Sequence, residues 1–267
     1  MVDLSRIFHP SFDKPDVSRF LFYPRKEMVG PPEGSILRIQ ISVEDGVVLG
    51  GRFHAAGKEN PTILFFHGNG EIAADYDDIG PLYNRMAINL LVVDYRGYGI
   101  STGKPSLTEM LRDAHQVLSY ARTWLGQRGF RGPLVVMGRS LGSAPAIELA
   151  YRSGELIDGL IIESGFARII PLLNLLGIDD PELKEDDGPL NLEKIRQIRK
   201  PTLIIHAQCD SLIHRAEGVD LYEASGAVQK FFLEIPGADH NDLFIREMKM
   251  YLETIGKYLE TVKEGKR

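Results

Sequence analysis

Hydrophobic and polar positions along the chain follow two periods in turn. Ile36-Leu-Arg-Ile-Gln-Ile-Ser42 and Val47-Val-Leu-Gly-Gly-Arg-Phe53 are strand-like, and the Glu44-Asp-Gly46 between them is turn chemistry, so a β-hairpin is expected. From residue 62 the pattern changes. Short apolar runs at 62–66, 89–93, 133–137, 159–162, 202–205 and 230–234 alternate with segments whose apolar residues recur at helical spacing. Helices are expected up to residue 86, from about 106 to 125, over 143–150, from about 216 to 224 and finally to about 262. A strand with no polar side is buried on both faces, and strands that alternate with helices pair in parallel. The expected fold is α/β: a mostly parallel sheet of about eight strands, opened by an antiparallel hairpin, with helices on both faces.

The alternation lapses between about 167 and 200. Ile169-Ile-Pro-Leu-Leu-Asn-Leu-Leu176 is apolar, Asp179-Asp-Pro-Glu-Leu-Lys-Glu-Asp-Asp-Gly188 is acidic, and 192–198 is helix-like. This reads as a small lid inserted after the sixth strand. Its acidic run lacks the alternating ligand spacing of a calcium loop and is read as a solvated face. Residues 1–30 form an N-terminal arm whose Phe20-Leu-Phe-Tyr-Pro24 tucks against the body, and nothing resembling a linker divides 1–267 into more than one domain.

Composition narrows the classes of function. The 267 residues are 43% hydrophobic and 25% charged, enough to bury a large core. With 31 basic and 37 acidic residues the net charge is -6, which offers no general basic face to nucleic acid. A lone cysteine, Cys209, excludes an intramolecular disulfide framework and a cysteine-based zinc cluster, and it reads as a small buried hydrophobe. No apolar run nears the ~20 residues of a membrane span, and the first residues lack a secretory h-region, so a cytoplasmic location is expected.

Candidate chemistry enters at Gly138-Arg-Ser-Leu-Gly142, between an apolar strand and a helix. A GxSxG turn in that setting holds its serine in strained backbone with the hydroxyl exposed at a helix N-terminus. Ser140 is therefore the candidate nucleophile. A serine needs a base, and the base an orienting acid. His240 lies in Pro236-Gly-Ala-Asp-His-Asn-Asp242 after the last strand, and Asp210 ends Ile204-Ile-His-Ala-Gln-Cys-Asp210 after the one before. The order Ser140, Asp210, His240 is that of α/β-hydrolases and differs from the chymotrypsin and subtilisin orders. The backbone N–H groups of Asn69 and Leu141 are the candidate oxyanion hole. Leu172, Leu173 and Leu176, with Ile170 and Leu175, are candidates for lining an acyl pocket.

From about residue 36 onward the chain resembles the α/β-hydrolase serine hydrolases, and within them the Bem46-like and depalmitoylase-like small-lid group. The resemblance rests on His67-Gly-Asn-Gly70, Asp94-Tyr-Arg-Gly-Tyr-Gly-Ile-Ser101, Gly138-Arg-Ser-Leu-Gly142, Asp210 and Gly237-Ala-Asp-His-Asn-Asp242, in that order. It implies a cofactor-free, metal-independent hydrolase of carboxylic esters or thioesters acting on a small-molecule or acyl substrate. It also implies that the loop carrying Arg96 is a structural brace. The sequence lacks the N-terminal cysteine cluster of animal depalmitoylases and the membrane anchor of many Bem46-like proteins, so a membrane-bound acyl-protein is not the expected substrate.

Other readings compete. A peptidase or amidase would use the same three residues. Gly68-Asn-Gly-Glu-Ile-Ala73, with Asp94 about twenty residues on, also satisfies a dinucleotide-binding turn, which would make the protein an NAD-binding oxidoreductase and leave Ser140, Asp210 and His240 without a role. Glu163, in Glu163-Ser-Gly-Phe166, is an alternative orienting acid. His67 and His206 sit at strand ends as structural histidines, His9, His54, His115 and His214 carry no motif, and Asp239 and Asp242 shape the His240 loop.

Overall fold

The computed structural model describes residues 2–28, 30, 34 and 36–265; Met1 and Val29 of the expected arm lie outside these. The hairpin forms as β1 (Leu37–Glu44) and β2 (Val47–His54), turning at Gly46, whose φ of 76° is the left-handed conformation that glycine adopts freely. The wholly apolar runs become β3 (Thr62–Phe66), β4 (Asn89–Val93), β5 (Leu134–Arg139), β6 (Gly159–Glu163), β7 (Thr202–Ala207) and β8 (Lys230–Ile235). They lie in the order β1-β2-β4-β3-β5-β6-β7-β8, antiparallel through β1, β2 and β4 and parallel from β4 to β8.

Because successive side chains of a strand point to opposite faces, one sheet builds two cores. Leu64, Phe66, Val136, Leu160, Ile162 and Ile204 face one way. There they meet α1 (Pro15–Leu21), α3 (Leu107–Gln127) and α4 (Ser143–Arg152). Ile63, Phe65, Val135, Met137, Ile161 and Ile205 face the other way. They meet α2 (Gly80–Arg85), α8 (Leu243–Arg246) and α9 (Met248–Gly265). Apolar strands are thus covered on both sides, as their lack of alternation requires. The 21-residue α3 begins where the Ser106 side chain accepts from the Glu109 N–H at 3.2 Å.

The stretch between β6 and β7 carries α5 (Ile169–Leu175) and α6 (Asn191–Ile195), the latter shorter than the expected 192–198. Its acidic run is mostly exposed, but Glu185 is not merely solvated: its carboxylate accepts from the Ile169 and Ile170 N–H groups at 2.9 and 3.0 Å and so caps α5. The remaining helix, α7 (Arg215–Ala224), follows β7.

The arm does more than tuck against the surface. Ile7, Phe12, Val17, Leu21 and Phe22 are buried in the larger core. Its backbone is held by the rest of the chain as well. The His9 N–H donates to Thr108 Oγ1 at 2.8 Å, and Arg112 Nε donates to the Ile7 carbonyl at 2.9 Å. Among the described residues no helix is long and apolar enough to cross a membrane.

Candidate active site

The parallel strands all end on the same edge of the sheet, so the loops after β3, β5, β7 and β8 converge there. At the end of β5 the chain turns sharply into α4 around Ser140, whose φ of 52° is a conformation costly for any residue with a Cβ. The turn is tight because its glycines touch backbone. A Cβ on Gly138 would lie 2.1 Å from the Gly142 carbonyl oxygen, and one on Gly142 would lie 2.1 Å from the Phe66 carbonyl oxygen. Close approach of the turn to the end of β3 follows directly, and it sets Leu141 against the His67–Asn69 loop.

The structure brings Ser140, His240 and Asp210 together from positions far apart in sequence. Ser140 Oγ lies 3.0 Å from His240 Nε2. On the other side of the ring, His240 Nδ1 lies 3.0 and 2.9 Å from the two oxygens of Asp210. The three residues are 6%, 4% and 5% exposed. Burial alone would raise the Asp210 pKa, but the hydrogen bond and charge of His240 and the amide of Ile213 outweigh it and hold the carboxyl below its ordinary value. An ionised Asp210 only accepts, so the ring proton sits on Nδ1 and Nε2 is left to accept from the Ser140 hydroxyl. Asp210 is itself fixed by the Leu212 and Ile213 amides at 3.0 and 2.7 Å.

A family model described as "Serine aminopeptidase, S33" matches residues 57–178. "Alpha/beta hydrolase domain-containing protein 17B" of Xenopus laevis is 32% identical over 211 residues, 76% of this chain and 65% of that protein. The Homo sapiens protein of the same name is 31% identical over the same shares. The chain thus spans less than two thirds of the length of these relatives. The fold superposes on the Pyrococcus furiosus esterase Pf2001 with a TM-score of 0.73 at 19% identity, covering 89% of this chain and 98% of that one. Est1E from Butyrivibrio proteoclasticus gives a TM-score of 0.68 at 19% identity, covering 84% and 98%. The chain has the α/β-hydrolase fold.

In this fold the loop after β3 is fixed from outside. Asn69 Oδ1 accepts from the Tyr98 hydroxyl at 2.6 Å and from the Tyr23 N–H of the arm at 2.8 Å. Arg25 Nε donates to the Gly70 carbonyl at 3.0 Å. The same loop does not form a dinucleotide-binding turn. A four-residue 3₁₀ turn at Ala73–Tyr76 stands where that motif needs a helix, and the Glu71 carboxylate already occupies the Gly68 N–H at 2.9 Å. Asp94 is turned inward, accepting from the Ala73 N–H at 2.8 Å.

Several expected residues lie elsewhere than expected. Leu172 lines a cavity of about 260 Å³ with Phe166, Pro171, Leu175, Ile213 and Asp210. Leu173 and Leu176 pack against the larger core instead. Three-residue spacing on α5 puts Leu172 and Leu175 on one face and Leu173 and Leu176 on another. Glu163 does not orient His240. It accepts from Arg139 Nε at 3.0 Å and from the Tyr251 hydroxyl at 2.5 Å. Cys209 is exposed, because β7 ends at Ala207 and the cysteine falls in the turn beyond the sheet.

His67 and His206, at strand ends, are each held locally through one ring nitrogen. His67 Nδ1 is 2.8 Å from the Gly68 carbonyl, and the Tyr95 hydroxyl donates to the His67 carbonyl at 2.6 Å. His206 Nε2 donates to the Ile213 carbonyl at 2.8 Å, and burial holds its pKa down, so it backs Asp210 as a neutral ring. Asp239 accepts from the Ser211 and His240 N–H groups, and Asp242 from the Asp239 N–H. Two residues near the site carried no sequence expectation, Arg139 and Glu71. Opposite charges end the neighbouring apolar strands at paired positions, Arg139 across from Glu163, and that pairing was the available signal.

Proposed function

We propose that the protein hydrolyses carboxylic esters or thioesters through an acyl-enzyme on Ser140. The observation that carries this reading is the 3.0 Å contact of Ser140 Oγ with His240 Nε2, in line with the His240–Asp210 pair. As Oγ bonds to the substrate carbonyl carbon, its proton passes to Nε2, and the imidazolium is stabilised by Asp210. The carbonyl oxygen becomes an oxyanion, for which the Asn69 and Leu141 N–H groups are the proposed donors. His240 returns the proton to the leaving alcohol or thiol as the carbonyl reforms. Water then attacks the acyl-enzyme by the same proton path and frees Ser140.

The apolar cavity lined by Leu172, Leu175 and Ile213 beside Asp210 is the proposed seat of the acyl chain, with the 167–200 insertion acting as its lid. On this reading one domain spans 1–267, and the enzyme takes its substrate from the cytoplasm. Labelling with a fluorophosphonate followed by mass spectrometry of the modified peptide tests the nucleophile: modification at Ser140, lost in Ser140→Ala, is expected. An unlabelled, folded protein sinks the reading. A p-nitrophenyl ester series tests the pocket, with medium chains expected to be cut faster than acetate.

A second reading, a peptidase or amidase on the same three residues, is favoured by the match to the serine aminopeptidase family model. Aminoacyl-p-nitroanilides assayed beside the esters separate the two.

A further inference from the structure

We propose that Arg139, the residue before Ser140, is a positioning residue that locks the serine, the histidine and the oxyanion loop into one geometry. The proposal rests on the reading of Ser140 as nucleophile. Arg139 closes β5, and its side chain is largely buried on the α2 and α9 side of the sheet, among Phe65, Tyr83 and Tyr251. Its guanidinium presents donors in a rigid planar fork, and each donor reaches a different element. Nε donates to Glu163 Oε1 at 3.0 Å, at the end of β6. Nη2 donates to the main-chain carbonyl of His240 at 2.7 Å and to Asn241 Oδ1 at 3.1 Å. Nη1 is paired with Glu71 Oε1.

Glu71 carries the connection onward. Its other oxygen accepts from the Gly68 N–H at 2.9 Å and from the Tyr76 hydroxyl at 2.7 Å. Gly68 directly precedes Asn69, one of the two proposed oxyanion donors. A Cβ there would lie 2.5 Å from Arg139 Nη1 and 2.9 Å from Glu71 Oε1, so any other residue would displace this ion pair. One planar cation thus fixes three things: Ser140 through the adjoining peptide, His240 through its own carbonyl, and Asn69 through Glu71 and Gly68. An ion pair serving stability alone would need only carboxylates. Here one donor holds the backbone of the base itself, at the point where a shift of the ring would open the 3.0 Å contact to Ser140 Oγ. The charge persists although burial opposes it, because Glu71 and Glu163 more than offset that effect.

The test uses ester turnover, melting and chemical rescue. Arg139→Ala is expected to lower kcat on the order of tenfold to a hundredfold, since small misplacements of reacting groups have effects of that size. KM should stay within about twofold of the parent, because the substrate-lining residues are untouched. A cavity of about 230 Å³ adjoins the guanidinium and gives a small cation access. Millimolar guanidinium should therefore restore kcat of Arg139→Ala saturably, while equal potassium chloride or urea should not. A folded Arg139→Ala with the kcat of the parent overturns the proposal, and so does a loss of kcat that guanidinium leaves unchanged.

If Arg139→Ala does not melt cooperatively, Glu71→Gln decides. It keeps an oxygen for the Gly68 N–H and removes the charge partner of Arg139. A several-fold loss of kcat at unchanged KM supports the positioning role, and a kcat equal to the parent overturns it. A parent that neither turns over esters nor is labelled at Ser140 fails for a different reason: it removes the nucleophile, and the positioning role with it.

Discussion

Two largely buried arginines in this α/β-hydrolase fold sit in polar clusters of similar size and differ in what they hold. Arg96 meets carboxylates on every side: both oxygens of Asp113 at 2.7 and 2.8 Å, Glu44 at 2.7 Å and Glu109 at 2.7 Å. It ties the end of β1 and the first turns of α3 to the loop after β4, and it contacts none of Ser140, Asp210 and His240. Arg139 also meets carboxylates, but it donates in addition to the carbonyl of His240. A cation surrounded only by side-chain partners makes a brace, whereas one that holds the main chain of His240, the proposed base, ties the brace to the proposed chemistry. The contrast teaches that residue type and burial do not separate structure from function; the identity of the acceptor does.

The strongest way to break that contrast is at the site itself. Ser140→Ala should abolish ester turnover, a loss on the order of a millionfold in kcat, and should leave the melting temperature unchanged or raised. A large drop in melting temperature would mean that the serine is part of the brace. Asp210→Asn should lower kcat by roughly 10⁴-fold by favouring the wrong ring tautomer of His240, read by stopped-flow acylation with a p-nitrophenyl ester.

The brace should behave in the opposite way. Arg96→Ala leaves buried Asp113 without its partner and should cost about 3–5 kcal/mol in urea unfolding, while kcat per folded molecule stays within about twofold. A kcat loss in folded Arg96→Ala would erase the distinction drawn between the two arginines.

The smallest effect concerns pH. His54, packed under Gly80 with neither ring nitrogen hydrogen-bonded, has its pKa lowered to about 4, chiefly by burial and then by the Arg52 charge. The unfolded chain therefore binds a proton that the folded one refuses. Stability is fully present above about pH 6.5 and falls as pH drops towards about 4, by a few kcal/mol in all. His54→Leu should flatten that limb of the stability profile, measured by urea titration across the window. An unchanged limb would refute the assignment, because the lowered carboxyl of Asp210 loses its contribution only as pH falls below the ordinary carboxyl range.

Much of the fold was legible because burial on both faces leaves an unambiguous trace. Val135 and Val136 face opposite cores, so neither is free to be polar, and β3 to β7 are buried along nearly their whole length. The placement of Ser140 was equally legible, since Gly138 and Gly142 mark a backbone approach that no larger residue allows. What remained hidden depends on direction. The run 169–176 is apolar throughout, so nothing in it says that Leu172 faces the cavity and Leu173 the core. Cys209 reads as apolar next to a buried strand, yet the strand ends two residues earlier. Glu71 sits inside a glycine-rich stretch that suggests a phosphate cradle, and only the fold reveals that its own carboxylate fills that position.

The N-terminal arm gives the molecule an unusual schedule. It is made long before the residues it docks on: His9 Nδ1 pairs with the Asp187 carbonyl, 178 positions on, at 2.8 Å. At about 5–20 residues per second that separation takes roughly ten to forty seconds to synthesise. The seven-residue helix α1 is too short to persist alone, so Ile7, Phe12 and Leu21 travel uncovered through that interval. A segment made early is thus among the last to settle, and it is the one whose Tyr23 amide holds Asn69. Nascent chains stalled short of residue 187 should present this apolar segment to chaperones, and the Asn69 loop should reach its final form only once the arm has docked on the later-made part of the chain.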